Sequence, residues 1–179
     1  MTHRTTPLTL LVLLGAAVAA GQVCELEELD TISTPGAPTR SLVIGSTSYV
    51  AAGSAGLLRI DVVDPENLGL IDATATQGPA VDIAYEYFGN QLVVAEGVAG
   101  IGTYSVQGSG PPAHLGTTSI GGTVVSISGS AGDYVAGSQQ GTLYLVRRGD
   151  DDLPVVEGEL ALSGQVVDVP EDSRRAYGG

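Results

Sequence analysis

Residues 49–65 of the chain read Tyr49-Val-Ala-Ala-Gly-Ser-Ala-Gly-Leu-Leu-Arg-Ile-Asp-Val-Val-Asp-Pro65. An aliphatic segment ends in Val-Ala, a short turn contains Gly53 and Gly56, and a second aliphatic segment follows. This order predicts two β-strands joined by a tight turn, because Gly accepts the positive φ angles that such turns need. The run Asp64–Asn67 predicts a surface turn, since Pro fixes φ and Asp and Asn hydrogen-bond to nearby backbone.

The same pattern occurs twice more along the chain, at residues 92–106 and 133–146. Gly100 and Gly141 align with Gly56, so the units repeat about every 41 to 44 residues, which is the spacing of β-propeller repeats. Further apolar segments precede the units at 41–44, 81–84 and 124–127 and follow them at 68–73, 114–118 and 155–162.

These segments predict an all-β fold of β-propeller blades, each a four-stranded antiparallel sheet. Apolar residues occur two or three together, which suits strands covered on both faces. Residues 166–169 begin a further unit, so we expect about three blades plus the start of a fourth. A closed propeller needs roughly four to eight blades. We therefore expect a truncated chain whose ring is not closed, with the assembly of two partial rings as an alternative.

The first unit resembles the LVIVD repeat, whose usual pattern is roughly Tyr-Val-Ala-Asp-Gly-x-x-Gly-Leu-x-Ile-Ile-Asp-Val-Ser-Asp-Pro. The second unit keeps Val-Ala-x-Gly-x-x-Gly, and the third departs further from the pattern. The resemblance covers about residues 39–179 and implies a β-propeller at the cell surface or secreted, with no established catalytic activity. The positions that carry the repeat signature are Gly53, Gly56, Asp61, Asp64, Pro65, Gly97, Gly100 and Gly141.

The first 38 residues predict export and a connecting segment. Residues 1–20 combine a short positive start, an apolar run and small residues, which is the pattern of a cleaved secretory signal peptide. Residues 21–38 are acidic and then rich in Pro and Gly, which predicts an exposed linker before the repeats at 39–179. An uncleaved anchor is one alternative, and lipidation of Cys24 is a weaker one because Val23 and Gly21 depart from a lipobox.

Composition and charge exclude several classes of protein. The formal net charge is −13 and no basic patch is present in the sequence, which disfavours nucleic-acid binding. The hydrophobic content of 43% allows a buried core. Because Cys24 is the single cysteine, an internal disulfide is excluded.

Candidate chemical groups are few. His114 is the one histidine outside the signal sequence, and no Gly-x-Ser-x-Gly motif accompanies it. The run Asp150–Asp152 lacks the spacing of a calcium loop. We therefore predict no catalytic site, no metal and no cofactor. Asp82 and Asp168, matched by Ser126, are predicted to hydrogen-bond near strand ends, with a ligand surface as the alternative.

The sequence as a whole predicts a non-catalytic extracytoplasmic or cell-surface β-propeller that serves as an interaction scaffold. Its binding face would be built from loops such as Asp64–Asn67 and Arg147–Leu153. The partner would be an unknown protein or surface ligand, with membrane contact only through the N-terminus or Cys24. The alternatives are a fragment of a propeller enzyme whose active residues lie in missing blades, and a lipid-anchored envelope protein.

Overall fold

The computed structural model describes residues 28–169, which form twelve β-strands and no helix. In chain order the strands are β1 (Arg40–Ile44), β2 (Thr47–Ala51), β3 (Leu57–Asp61), β4 (Gly69–Thr74), β5 (Asp82–Glu86), β6 (Gln91–Ala95), β7 (Ile101–Ser105), β8 (Ala113–Thr118), β9 (Val124–Ser130), β10 (Asp133–Ser138), β11 (Thr142–Arg148) and β12 (Pro154–Ala161). Predictions for residues 1–27, including the signal peptide and Cys24, and for residues 170–179 lie outside this range.

The strands form three separate four-stranded sheets, each an antiparallel meander in chain order. Sheet I contains β1–β4, sheet II contains β5–β8 and sheet III contains β9–β12. The predicted all-β class and the four-stranded antiparallel units are confirmed. The segment 166–169, predicted to open a further unit as a strand, has no strand hydrogen bonding.

Sheet II packs between the other two sheets, and its strands bury both faces. All five residues of β6 are buried. Because side chains alternate along a strand, Leu92 and Val94 face sheet I while Val93 and Ala95 face sheet III. Two apolar clusters result, one at each boundary between sheets, which explains the unbroken apolar runs in the sequence.

Part of the predicted linker is attached to sheet I. The Asp30 carboxylate accepts a hydrogen bond from the Leu68 amide at 2.8 Å. Ile32 packs on the far side of sheet I, against the buried cluster of Val50, Ala52, Leu58 and Ile60. Most other side chains between 28 and 38 are exposed, as a linker predicts.

A β-bulge at the same place in all three sheets shows which residues of one sheet correspond to which residues of the next. Where the third strand pairs with the fourth, each sheet has one register shift. These shifts have the form of β-bulges and fall at Arg59/Ile60, Thr103/Tyr104 and Leu145/Val146.

By this correspondence Gly141 lies one residue before the position of Gly56 and Gly100, although all three have positive φ. The carbonyls of Gly56 and Gly100 accept hydrogen bonds from the amides four residues earlier, whereas the Gly141 carbonyl accepts one from the Leu162 amide. The sequence alignment of the third unit is therefore offset by one residue. As a result Ala136 faces the preceding sheet, whereas Ala51 faces the following one.

Candidate functional site

The first strands of the sheets, β1, β5 and β9, lie side by side and carry a row of polar residues. Asp82 on β5 forms an ion pair with Arg40 on β1 at 3.2 Å. Asp82 also accepts hydrogen bonds from the Ser126 hydroxyl at 2.8 Å and the Ile127 amide at 2.9 Å, both on β9. The predicted hydrogen-bonding role of Asp82 and Ser126 is confirmed.

The row continues beyond sheet III. Ser126 Oγ accepts a hydrogen bond from the Val169 amide at 2.9 Å and lies 3.2 Å from the Asp168 carboxylate. The segment 165–169 therefore lies against β9, and Val166 packs over Gly137 so closely that a Cβ at Gly137 would overlap it. Although this segment is not a strand, it occupies the place on sheet III that β9 occupies on sheet II.

Two of the repeat-signature glycines join neighbouring sheets through their backbone. Gly53 and Ala80 exchange hydrogen bonds of 2.8 and 3.0 Å, and Gly97 forms the equivalent bridge to Val124. Both glycines have φ near +60° (58° and 59°), a conformation that costs little only for Gly. Their role in this part of the fold is to connect one unit to the next.

A cavity of about 510 Å³ runs along the first strands. Its walls combine apolar side chains with Arg40, two serines and two tyrosines. Such mixed lining suits a small ligand or an inserted side chain. The lining residues are Arg40, Ser41, Leu42, Ile83, Ala84, Tyr85, Tyr87, Ile127, Ser128 and Gly129.

A buried carboxylate lies inside sheet II. Glu96 accepts hydrogen bonds from the Tyr104 hydroxyl and, at 3.3 Å, from the Thr117 hydroxyl. Gly102 provides the space, because a Cβ there would overlap the Glu96 carboxylate. Burial, and then the bond to Glu96, raise the pKa of Tyr104. Since Glu96 and Tyr104 are closed off from solvent, we assign the group a structural role.

His114, the candidate histidine of the sequence, lies on β8 beside this group. Its Nε2 is 2.9 Å from the Thr117 hydroxyl, and its ring is 5.0 Å from that of Tyr104. Within residues 28–169 no cluster of three or more His, Cys, Asp or Glu side chains is arranged to hold a metal ion. The same range contains no helix with the length and apolarity needed to cross a bilayer.

One end of the sheets carries all the hairpins that join first to second and third to fourth strands. In each sheet a backbone hydrogen bond ties these two hairpins together, from Val62 to Ser46, from Val106 to Asn90 and from Arg148 to Gly132. We call this the aromatic end, formed by residues 45–46, 62–68, 87–90, 106–112, 131–132 and 149–153. The predicted loop Asp64–Asn67 lies here, and so does the part of the loop Arg147–Leu153 that follows β11. Asp61 is the last residue of β3, next to this end.

The first hairpin of sheet II presents two exposed aromatic rings at this end. Tyr87 is 72% exposed and Phe88 is 74% exposed. Their ring centroids are 6.0 Å apart in an edge-to-face arrangement, and Tyr85 packs on Tyr87 in the same way at 6.4 Å. Tyr87 also lines the cavity.

The turn that carries these rings is fixed from below by a buried acid. Glu86 accepts hydrogen bonds from the amides of Phe88, at 3.1 Å, and Gly89. Arg148 of sheet III approaches Glu86 to 3.4 Å and hydrogen-bonds to Asp152. The aromatic turn is therefore held by contacts from a neighbouring sheet.

Tyr87 and Phe88 are not among the site residues predicted from the sequence, although a compositional signal is present. The chain has 7 Tyr and 1 Phe, and three of these eight residues lie in the four positions 85–88. Tyr87 and Phe88 lie between the predicted strand segments at 81–84 and 92–106, and aromatic residues concentrated in a connection are a signal of recognition. The acid Glu96 was missed because only its burial distinguishes it from a surface residue.

Comparison with known proteins concerns the fold. No family model matches the sequence, and no curated protein matches it. Among solved structures, the computationally designed Ika4 protein has a TM-score of 0.61 at 11% identity, over 80% of this chain and 85% of Ika4. The N-terminal domain of Nup159 has a TM-score of 0.45 at 12% identity, over 70% of this chain and 31% of that one. The likeness to Ika4 concerns the fold alone, which is all-β with three four-stranded antiparallel sheets.

Proposed function

We propose that the chain is a non-catalytic, extracytoplasmic repeat protein of the LVIVD β-propeller type, which binds a partner through its aromatic end. The repeat pattern at residues 49–65 and the face-to-face packing of three meander sheets support the propeller assignment. The pattern of residues 1–20 supports export. The observation that carries the binding role is the exposure of Tyr87 and Phe88 on a turn that is fixed by hydrogen bonds to Glu86.

Exposing Tyr87 and Phe88 to water has a free-energy cost. An exposed aromatic ring contributes no hydrophobic stabilisation to the fold. Two adjacent exposed rings form an apolar patch, and such patches promote association. A buried glutamate, with Arg148 beside it, fixes the backbone beneath the rings. Rigid, exposed aromatic side chains lose little entropy on binding, and they dominate the energetics of many interfaces. The aromatic turn therefore has the properties of a recognition element.

The test compares cross-linking in cells that produce the full chain. The variant Tyr87→Ala/Phe88→Ala removes both rings, and Val98→Ala is the matched control, since Val98 is 75% exposed in the β6–β7 turn at the opposite end. We expect one cross-linked partner to be lost from the first variant and kept by the second. Equal cross-linking by both variants would contradict the assignment of the aromatic end.

Export is tested separately by fractionating the same cells. We expect the full chain outside the cytoplasm, with residues 1–20 removed. Retention in the cytoplasm with these residues intact would overturn the extracytoplasmic assignment.

A further inference from the structure

The aromatic turn of sheet II lies at the same end as an acidic hairpin of each neighbouring sheet, and we call these two the flanking hairpins. Sheet I contributes Asp64 and Glu66 on one side, and sheet III contributes Asp150–Asp152 on the other. The corresponding hairpin of sheet II, residues 106–112, carries no charge. The two exposed rings therefore share this end with acidic side chains of both neighbouring sheets. On the sheet III side, Arg148 links Asp152 to Glu86 beneath the turn.

Among the described residues, the arginines at this end neutralise only Asp152 of the flanking-hairpin acids. Arg147 pairs with Asp133 and Glu157, both at 2.9 Å. Arg148 pairs with Asp152 and approaches Glu86. Each arginine therefore has two acidic partners of its own. In the described residues of the flanking hairpins, Glu66, Asp150 and Asp151 have no cationic partner.

Guanidinium groups match this surface in both shape and charge. A planar guanidinium stacks on an aromatic face and also forms forked hydrogen bonds to carboxylates. Tyr85, Tyr87 and Phe88 pack at interplanar angles of 88° and 78°, so successive rings present faces in different directions. A lysine ammonium would satisfy the charge but would lose the stacking geometry.

We infer that the aromatic end binds an arginine-bearing segment of a partner protein, with arginine side chains stacked on Tyr87 and Phe88 and steered by the flanking hairpin acids. This inference rests on the proposed function and names the chemistry of the partner. Charge complementarity with a chain of net charge −13 favours a basic segment over an acidic one.

The probe is a capped peptide of alternating Gly and Arg, titrated into the isotope-labelled full chain and followed by amide NMR. We expect shifts at residues 85–90 and in the flanking hairpins, weaker binding of the Gly-Lys peptide and no binding of the Gly-Glu peptide. Tyr87→Ala/Phe88→Ala should weaken binding about tenfold, as the loss of one or two cation–π contacts predicts. Val98→Ala should leave binding unchanged.

Two further variants separate the contributions. Tyr87→Leu/Phe88→Leu keeps an apolar surface without π faces, so it should bind the Gly-Arg peptide as weakly as the alanine variant. Asp150→Asn/Asp151→Asn keeps the rings and should reduce the salt dependence of binding. Unchanged affinity in the leucine variant, equal affinity for the Arg and Lys peptides, or shifts confined to the opposite end would overturn the inference.

Cross-linking and peptide binding together distinguish failure of the arginine assignment from failure of the proposed function. If cross-linking to a cellular partner depends on Tyr87 and Phe88 while the Gly-Arg peptide does not bind, the arginine assignment is wrong and the scaffold assignment stands. If cross-linking is also independent of these rings, both are wrong.

Discussion

Ser126 donates a hydrogen bond to the Asp82 carboxylate across the boundary between sheets II and III, at 2.8 Å. The same carboxylate pairs with Arg40 of sheet I. One buried acid therefore touches the first strands of all three sheets. A buried carboxylate is stable only when hydrogen-bond donors surround it. Because the donors to Asp82 come from sheets I and III, their bonds to Asp82 fix the sheets relative to one another.

Asp82→Ala should lower the free energy of unfolding by about 2–4 kcal/mol, because buried amide and hydroxyl donors lose a charged acceptor. Asp82→Asn keeps the shape and one acceptor oxygen, so it should cost less. Urea unfolding of both variants tests this, with Glu159→Ala on the exposed surface as the control. A loss in Asp82→Ala no larger than that in Glu159→Ala would exclude the role given to Asp82.

Gly102→Ala should destabilise sheet II by about 1–3 kcal/mol, because its methyl group overlaps Glu96. Glu96→Ala alone should also destabilise, since Tyr104 and Thr117 lose their acceptor. The double variant Glu96→Ala/Gly102→Ala should lose less free energy of unfolding than the two single losses added together, because removing the Glu96 carboxylate makes room for the methyl group added at Gly102. Sheet I already has apolar side chains, Ala52 and Leu58, at these two positions. Strictly additive free energies in a double-mutant cycle would contradict this.

Arg148→Ala should loosen the aromatic turn, while Arg147→Ala should not. Arg148 reaches the Glu86 carboxylate beneath the turn, whereas Arg147 pairs only with exposed acids. Hydrogen exchange should become about tenfold faster at the amides of Phe88 and Gly89 in Arg148→Ala, as expected for easier local opening. The adjacent arginine is a control of equal charge. Identical exchange in the two variants would show that Arg148 does not hold the turn.

Gly137→Ala should displace the segment 165–169 from sheet III, because the added methyl group overlaps Val166. We expect faster exchange of the Val169 amide, whose hydrogen bond to Ser126 would be lengthened. Gly158→Ala, on β12, adds a methyl group into open space and serves as the control. If the Val169 amide stays protected in Gly137→Ala, the segment does not pack as described.

Alkaline pH should destabilise the fold through two buried tyrosines. Burial raises the pKa of Tyr104 and of Tyr134 above the ordinary value of 10.0, with Glu96 and Glu86 adding to the effect. In the unfolded chain both would ionise near pH 10, so their contribution is complete below that pH and is lost as the pH rises toward the folded values. Urea unfolding from about pH 8 to about pH 11 should show this fall.

Phenylalanine variants provide the control for the alkaline effect. Tyr134→Phe removes a hydroxyl that has no hydrogen-bond partner among the described residues, so its stability at neutral pH should change little. Its decline at alkaline pH should be shallower than that of the unchanged chain. Parallel declines would place the titrating group elsewhere.

Much of the strand pattern was predictable because the repeats impose it. Apolar runs with glycine turns locate all twelve strands to within two residues of most ends. The register of sheet III was not predictable, because Val135-Ala136 reads like Val50-Ala51 in sequence. Which face each alanine takes depends on pairing across the hairpin, and one residue of offset reverses the faces.

The candidate site residues also divide into those that were predictable from the repeats and those that were not. Asp82, Ser126 and Asp168 could be found because they recur at one position of the repeat. The turn at Tyr87 and Phe88 is unique to one unit, so comparison between units hides it. Glu96 stands where the repeat has Ala52 in the first unit, and only the glycine beneath it permits the larger side chain.

The row that runs from Arg40 through Asp82 and Ser126 to Asp168 uses one residue from each successive unit. Each link needs only the neighbour on either side, so gain or loss of a whole unit leaves the remaining links intact. Gene duplication can therefore lengthen such a protein without redesigning its interior. The recognition that we propose, by contrast, depends on one turn in one sheet, so unit number and binding specificity would be free to evolve independently.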